Sequence, residues 1–294
     1  MKKRLLCFTM LLTVTISAIT FTNNVKAATK WNTSKSVTKE ENGIKYSAYL
    51  TEDGKESWIY QIKLSKKITK LTLPKEINQA KLTRVGFGKE LYNKGEDEDA
   101  YQNLFGDTIE PWHNCYGDLS NDDKNKQTIE TVAIPGTVNQ LEIATFSGMK
   151  KLKSVVIPEQ TASVPAYTFA KCSALSKVTF SKNMNEIDST ALVKSNQVKT
   201  FSCPKANKTF AVKKGMLTTR SGKTLVLVPN KMKKITIPTS VKTIKAKTFN
   251  GSQATSIVIP KSVKKIEAKA LSSKKVTKVS SVSYTHLTLP TNRE

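Results

Sequence analysis

The chain repeats itself, and a repeat limits the possible folds before any single residue is weighed. Five segments align on a step that reads Ile-Pro or a close relative: Ile134-Pro135, Ile157-Pro158, Phe180-Ser181, Ile237-Pro238 and Ile259-Pro260, spaced by 23, 23, 57 and 22 residues. Two residues before each step stand Val132, Val155, Val178, Ile235 and Ile257. Seven after stand Leu141, Val164, Ile187, Ile244 and Ile266, and twelve after stand Phe146, Phe169, Leu192, Phe249 and Leu271. The position four after the step is looser, with Val138, Thr161, Met184, Val241 and Val263. Val-x-Ile is a short period-2 strand with its apolar residues on one side. Proline then removes a backbone donor and ends the strand. The rest of each unit must turn, send its apolar columns inward and return beside the previous strand. One unit cannot bury its own apolar face, whereas stacked units share a continuous core. The expected arrangement is a solenoid whose strands pair in parallel with those of adjacent coils.

The 57-residue gap holds a degenerate copy around Val198 and Phe201, then two alternating apolar runs, Phe210 to Leu217 and Leu225 to Pro229, on either side of Ser221-Gly222. These runs predict a β-hairpin over 210–229 inserted into the solenoid. Upstream, Ile68, Leu71-Thr72-Leu73-Pro74 and Ile77 repeat the strand signature. Before it, residues 43–49 and 57–64 flank Glu52-Asp53-Gly54 and predict a second hairpin, placed to cap the open end of the stack.

The composite pattern Leu-x-x-Val-x-Ile-Pro-x-x-Val-x-x-Ile-x-x-x-x-Phe resembles the BspA-type leucine-rich repeat of bacterial surface proteins. The segment from Phe210 to Pro229 is similar to an insertion common in that family. The resemblance covers roughly Ile68 to Leu271. It implies an α/β-type solenoid, β-dominated: a leucine-rich repeat with a parallel strand ladder, an N-terminal β-hairpin cap and an inserted β-hairpin. For function it implies adhesion to host matrix proteins and other surfaces, without a residue motif that carries this activity. One departure stands out: the Gly usual after the plus-seven Ile is Glu142, Pro165, Asp188, Lys245 or Glu267, which bears on the turn at that position.

The two ends read differently from the repeat. Lys2, Lys3 and Arg4 precede an apolar run from Leu5 to Phe21, and Val25-Lys26-Ala27 supplies small residues where a signal peptidase reads. Residues 1–27 are therefore expected to be a cleaved secretory signal, with no membrane span after cleavage and a secreted, extracellular or cell-surface location. Thr and Ser within the run argue against a retained anchor. At the other end, Val282 to Thr291 read VSYTHLTLPT, which resembles the translation of a sequencing-library adapter, so 282–294 is expected to be a non-native tail. Between them lie an N-terminal segment with its hairpin cap (28–67) and the solenoid (68–281), the latter carrying an acidic insertion (95–126) and the hairpin insertion (210–229).

Composition narrows the chemistry. Two histidines in the whole chain leave little room for His-based zinc sites or for Ser-His-Asp and Cys-His catalysis. Of the four cysteines, Cys7 would leave with the signal, and Cys115, Cys172 and Cys203, odd in number and widely separated, do not read as a disulfide framework. Cys172 reads as a buried small residue. The outward positions, one and three before each step, are Lys70, Thr72, Thr131, Ala133, Ser154, Val156, Lys177, Thr179, Lys234, Thr236, Ser256 and Val258. That face offers small side chains and lysines but no carboxylate, His or Cys, so it predicts either a plain solvated sheet face or a docking surface for an extended polypeptide or glycan, and not a catalytic centre. The acidic insertion carries a net charge of −7 together with Tyr101, Phe105, Trp112, His113, Cys115 and Tyr116. Tyr101, Phe105, Trp112 and Tyr116 are candidate aromatic contacts for a partner. Its Glu96-Asp97-Glu98-Asp99 run lacks the ligand spacing of a calcium loop, so no metal or cofactor is expected. His113 and Cys115 are two apart, a spacing that in a strand would put both on one face, but no oxyanion motif accompanies them.

The formal net charge is +25, and it is polarised: from Thr131 to Ser281, 27 basic residues face five acidic ones. Lysine in such excess suits phosphate or sulfate polymers, whereas base-specific reading of nucleic acid wants Arg, and Arg220 is alone in that stretch. The expected function is a non-enzymatic, secreted or cell-surface binding and adhesion module for an extracellular host or matrix protein or an anionic polymer. The competing reading is the non-catalytic repeat region of a larger enzyme or wall-associated protein.

Overall fold

A computed structural model describes residues 29–86, 126–273 and 275–281. The chain opens with an antiparallel meander of β1 (Trp31–Glu41), β2 (Ile44–Thr51) and β3 (Glu56–Leu64). The expected cap hairpin is β2 and β3, and β1 adds a strand that the sequence analysis left out. Next come β4 (Lys70–Thr72), β5 (Glu76–Ile77) and β6 (Ala80–Val85).

From there each regular coil contributes a strand of three or four residues and a strand of two. These are β7 (Thr131–Ala133) with β8 (Gln140–Leu141), β9 (Ser154–Val156) with β10 (Ser163–Val164), and β11 (Lys177–Thr179) with β12 (Glu186–Ile187). The following coil opens with β13 (Thr200–Ser202) and then departs as β14 (Phe210–Lys213), β15 (Met216–Thr219) and β16 (Thr224–Leu227). Regular coils resume with β17 (Lys234–Thr236) and β18 (Thr243–Ile244), β19 (Ser256–Ile259) and β20 (Lys265–Ile266), and then β21 (Lys278–Ser281).

The strands before each step form two parallel ladders, β4-β7-β9-β11-β13 and β17-β19-β21. Register is locked at 23-residue spacing, Val155 opposite Val178 and Val178 opposite Phe201, because a slip of one residue would turn every apolar side chain outward. The plus-seven residues form parallel pairs of their own, Val164 with Ile187 and Ile244 with Ile266, and Val85 and Leu225 join them by pairing with Leu141 and Ile244. Coils paired at both positions, as β9 and β10 are with β11 and β12, and β17 and β18 with β19 and β20, are stitched to each other along two lines.

The core lies between these lines. Phe146, Phe169 and Phe249 of the plus-twelve column are fully buried, and the Phe146 and Phe169 rings stack at 5.6 Å. The solenoid is β-dominated as expected. Among the described residues its return leg is made of turns, with one 3-10 turn at Lys126–Thr128 and no α-helix.

Two local features differ from the expectation. The insertion over 210–229 is not one hairpin but a three-stranded meander. Lys214-Gly215 turns with positive φ at both residues, and Gly222 turns the chain a second time. Its last strand, β16, then rejoins the plus-seven ladder beside β18. In the first coil, Asn78 and Gln79 turn β5 back onto β6, so Val85, twelve after Leu73, takes the place that Leu141 holds at plus seven. The signal segment, the acidic insertion from 95 to 125 and the tail 282–294 lie outside the described residues.

Candidate binding face

Alternation in a strand sends every second side chain to the same side of the sheet. With the central residue of each ladder strand turned to the core, buried in all of them but β21, where Val279 is 44% exposed, its neighbours must face outward, and the register aligns them in rows. One row runs Lys70, Thr131, Ser154, Lys177 and Thr200. Beside it lies the row Thr72, Ala133, Val156, Thr179 and Ser202. On the second ladder the rows are Lys234, Ser256, Lys278 and Thr236, Val258, Ser280. All twelve predicted face residues therefore sit on the outward side, none of them buried, but divided between two sheets: eight on one and four on the other.

Thr200, Ser202, Lys278 and Ser280 belong to the face and were missed. The signal was present for the first two. Cys203-Pro204 falls 23 residues after Phe180-Ser181, so the copy around Phe201 is in step, with Cys in place of Ile. Lys70, Lys177, Lys234 and Lys278 pair with no carboxylate among the described residues. At about 4.8 Å per strand, Lys70 and Lys177 stand roughly 14 Å apart across three strand steps.

Two hollows border the first sheet. Beyond the ends of its strands, a trough of about 710 Å³ is lined by Ala133, Ile134, Val156, Ile157, Phe180 and Pro204. Val156, 62% exposed, joins the trough to the strand face. The ion pair of Lys182 with Glu159 sits at its rim. At the opposite side, between the cap and β4, a groove of about 820 Å³ is lined by Lys39, Tyr46, Lys66, Ile68, Lys70 and Lys75 among others. The Tyr46 hydroxyl donates to the Thr72 carbonyl at 3.0 Å.

Behind the face, the cap and the first coils are joined by a buried charge. Arg84 donates from Nε to Glu142 Oε1 at 2.7 Å, and its guanidinium lies 3.7 Å from the Trp58 ring centre. Gln140 Nε2 donates to the same carboxylate oxygen at 2.7 Å. The Trp58 indole donates to the Gly86 carbonyl at 2.6 Å, and a side chain at residue 86 would collide with Thr145 and Glu142. Nothing in the apolar column pattern marked Arg84, since it sits on the strand that the Asn78-Gln79 turn shifts out of phase.

Neither of the two described thiols is set up as a nucleophile. Cys172 is fully buried, and burial pushes its thiol up to about 12. Burial also raises that of Cys203, with Arg220 partly offsetting the effect. A reactive cysteine needs the opposite shift. Among the described residues no three His, Cys, Asp or Glu side chains come together. The aromatic candidates Tyr101, Phe105, Trp112 and Tyr116, with His113 and Cys115, lie outside the described residues.

With this geometry in view, comparison with known proteins finds one matching family, described as BspA type Leucine rich repeat region. Its pattern recurs in six copies over residues 124–214 and 228–288. The interruption between the two segments falls within the three-stranded insertion. No curated protein matches the chain. Among solved structures, the chain is similar to the pneumococcal vaccine antigen PcpA at 14% identity, covering 83% of this chain and 70% of that one, with a TM-score of 0.44. A leucine-rich repeat protein from Eubacterium ventriosum is similar at 16% identity over 86% and 73% of the two chains, also with a TM-score of 0.44. A leucine rich cell surface protein from Faecalibacterium prausnitzii matches at 13% identity over 83% and 76%, with a TM-score of 0.35.

Proposed function

The chain belongs to the BspA-type leucine-rich repeat family, and from that premise we propose that it is a secreted or cell-surface binding module that holds a host or matrix protein against its strand face. The observation that carries this reading is the face itself. Its rows are fixed in register, its lysines are unpaired among the described residues, and it runs through the exposed Val156 into an apolar trough. A polypeptide that buries an aliphatic side chain in such a trough gains from apolar area removed from water, while the surrounding lysines and hydroxyls set orientation. A catalytic role is not part of the reading, since the face brings no acid, base and nucleophile together.

The test is binding of the immobilised full chain to fibronectin, laminin and collagen, with Val156→Asp and Lys177→Glu as variants. Each is expected to weaken a captured matrix protein by about tenfold, as central interface positions do. A bound protein indifferent to both changes does not use this face, and the reading fails. The lysine excess from Thr131 to Ser281 favours a second reading, an anionic polymer. Binding of heparin should then fall steeply between low and physiological ionic strength, whereas a protein held in the trough should be far less sensitive to salt.

A further inference from the structure

Among the described residues, the cap leaves one edge of the strand ladder open. In a parallel ladder, alternate residues direct both backbone groups to the same neighbour. Along β4 and its flanks, Thr69, Leu71 and Leu73 serve β7: Thr131 N–H donates to the Thr69 carbonyl at 3.1 Å, and Leu73 N–H donates to the Ala133 carbonyl at 3.0 Å. Lys70 and Thr72 therefore direct theirs the other way, and β4 is the end strand of its sheet. The Thr72 carbonyl receives the Tyr46 hydroxyl. The Thr72 N–H and both backbone groups of Lys70 meet no partner among the described residues.

The groove of about 820 Å³ runs along this edge. Ile44, Ile68 and Leu73 give it an apolar lining, and Lys66, Lys70 and Lys75 bring charge that forms no ion pair among the described residues. Lys39 differs, held by Glu41 at 3.2 Å, and Glu76 is the other carboxylate of the lining. An exposed strand edge with open donors and acceptors is a template for another strand.

We propose that this groove takes an extended acidic segment of another polypeptide, which adds as a strand to β4. The inference rests on the reading of the chain as a polypeptide-binding module and names the place and chemistry of one contact. A polyphosphate has no donor for the Lys70 carbonyl, and only a polypeptide strand presents N–H and C=O groups in the alternation this edge requires, so the open edge favours a polypeptide. The three lysines select carboxylate side chains within it, and alternate aliphatic residues fit the apolar lining.

The probe is the fluorescein-labelled peptide Glu-Val-Glu-Val-Glu-Val-Glu, capped at both ends and titrated with the full chain. Two analogues carry N-methyl groups on either the valines or the glutamates, and a third replaces every Glu by Lys. One of the two methylated analogues should bind about tenfold more weakly than the parent, and the Lys peptide should not bind. Thr72→Pro removes one open donor without touching the groups that serve β7, and proline is tolerated where a strand's N–H faces away from its sheet. It should lower affinity by a similar factor. If both methylated analogues bind like the parent, or a folded Thr72→Pro chain keeps full affinity, charge alone is acting and the proposal falls. If Thr72→Pro does not fold, the analogues decide alone. A chain that forms dimers refusing the peptide has its own copy at this edge, which also overturns the proposal. Loss of matrix-protein binding in Val156→Asp with none in Thr72→Pro would retain the strand-face function and reject the edge.

Discussion

At the scale of the residue, the turns are set by backbone conformations that L-amino acids adopt reluctantly. Ten after the step, Ala144, Tyr167, Lys247 and Lys269 have φ between 55° and 59°. Fourteen after it, Gly148 and Gly251 have φ of 79° and 75°, and Lys171 and Lys194 have 57° and 62°. The substituted glycine position eight after the step is not among the left-handed residues, so Glu142, Pro165, Asp188, Lys245 and Glu267 occupy it without strain. The left-handed region costs a non-glycine residue about 1 kcal/mol, and glycine gives back part of that gain through the entropy of the unfolded chain. Lys194→Gly is accordingly expected to stabilise the protein by about 0.5 kcal/mol, read as a higher denaturant midpoint at unchanged slope. A lower midpoint would show that the lysine side chain contributes more than the backbone loses.

At the scale of the element, the joint between β6 and β8 rests on Arg84 and Glu142, with side-chain exposures of 3% and 11%. Removing one partner of a buried ion pair leaves the other charge poorly solvated, whereas replacing both by apolar groups can be close to neutral. Glu142→Ala should therefore destabilise the chain by about 3 kcal/mol, and the double variant Arg84→Met with Glu142→Leu by clearly less. Denaturant unfolding of the single and double variants measures the difference. A double variant as unstable as the sum of its parts would mean that the two side chains act independently. The ring of Trp58 stacked beneath Arg84 makes the methionine a fitting replacement, since its thioether packs against aromatic faces.

At the scale of the whole molecule, the buried residues form two clusters. One extends from the cap to Leu227 and the other from Met216 to Ala270, the two overlapping in sequence at the insertion. The outer ladder breaks at the same place, where the coil that starts at β13 runs 34 residues from Cys203 to Ile237 in place of 23. Neighbour-only contacts make a solenoid open from its weaker part. Ile257→Ala, which empties a fully buried site in the second cluster at a cost of about 3 kcal/mol, should speed amide exchange in β17 to β20 while Val155 and Val178 stay protected. Equal acceleration in both clusters would show a single cooperative unit. Much of this organisation was legible beforehand. Matched apolar columns recur in every regular coil, because each coil must present the same side chains to one core, and so the sequence alone determined the solenoid, the ladder strands and the twelve outward positions. It could not determine what depends on contacts between distant segments. The pairing at the plus-seven position joins Val85 to Leu141, 56 residues apart, and the groove arises where the cap approaches β4 without pairing to it. The Arg84–Glu142 pair spans 58 residues and follows no period. Periodicity reports which side of a strand is buried; only the tertiary structure decides which edges meet, which stay open, and where a charge can be held away from water.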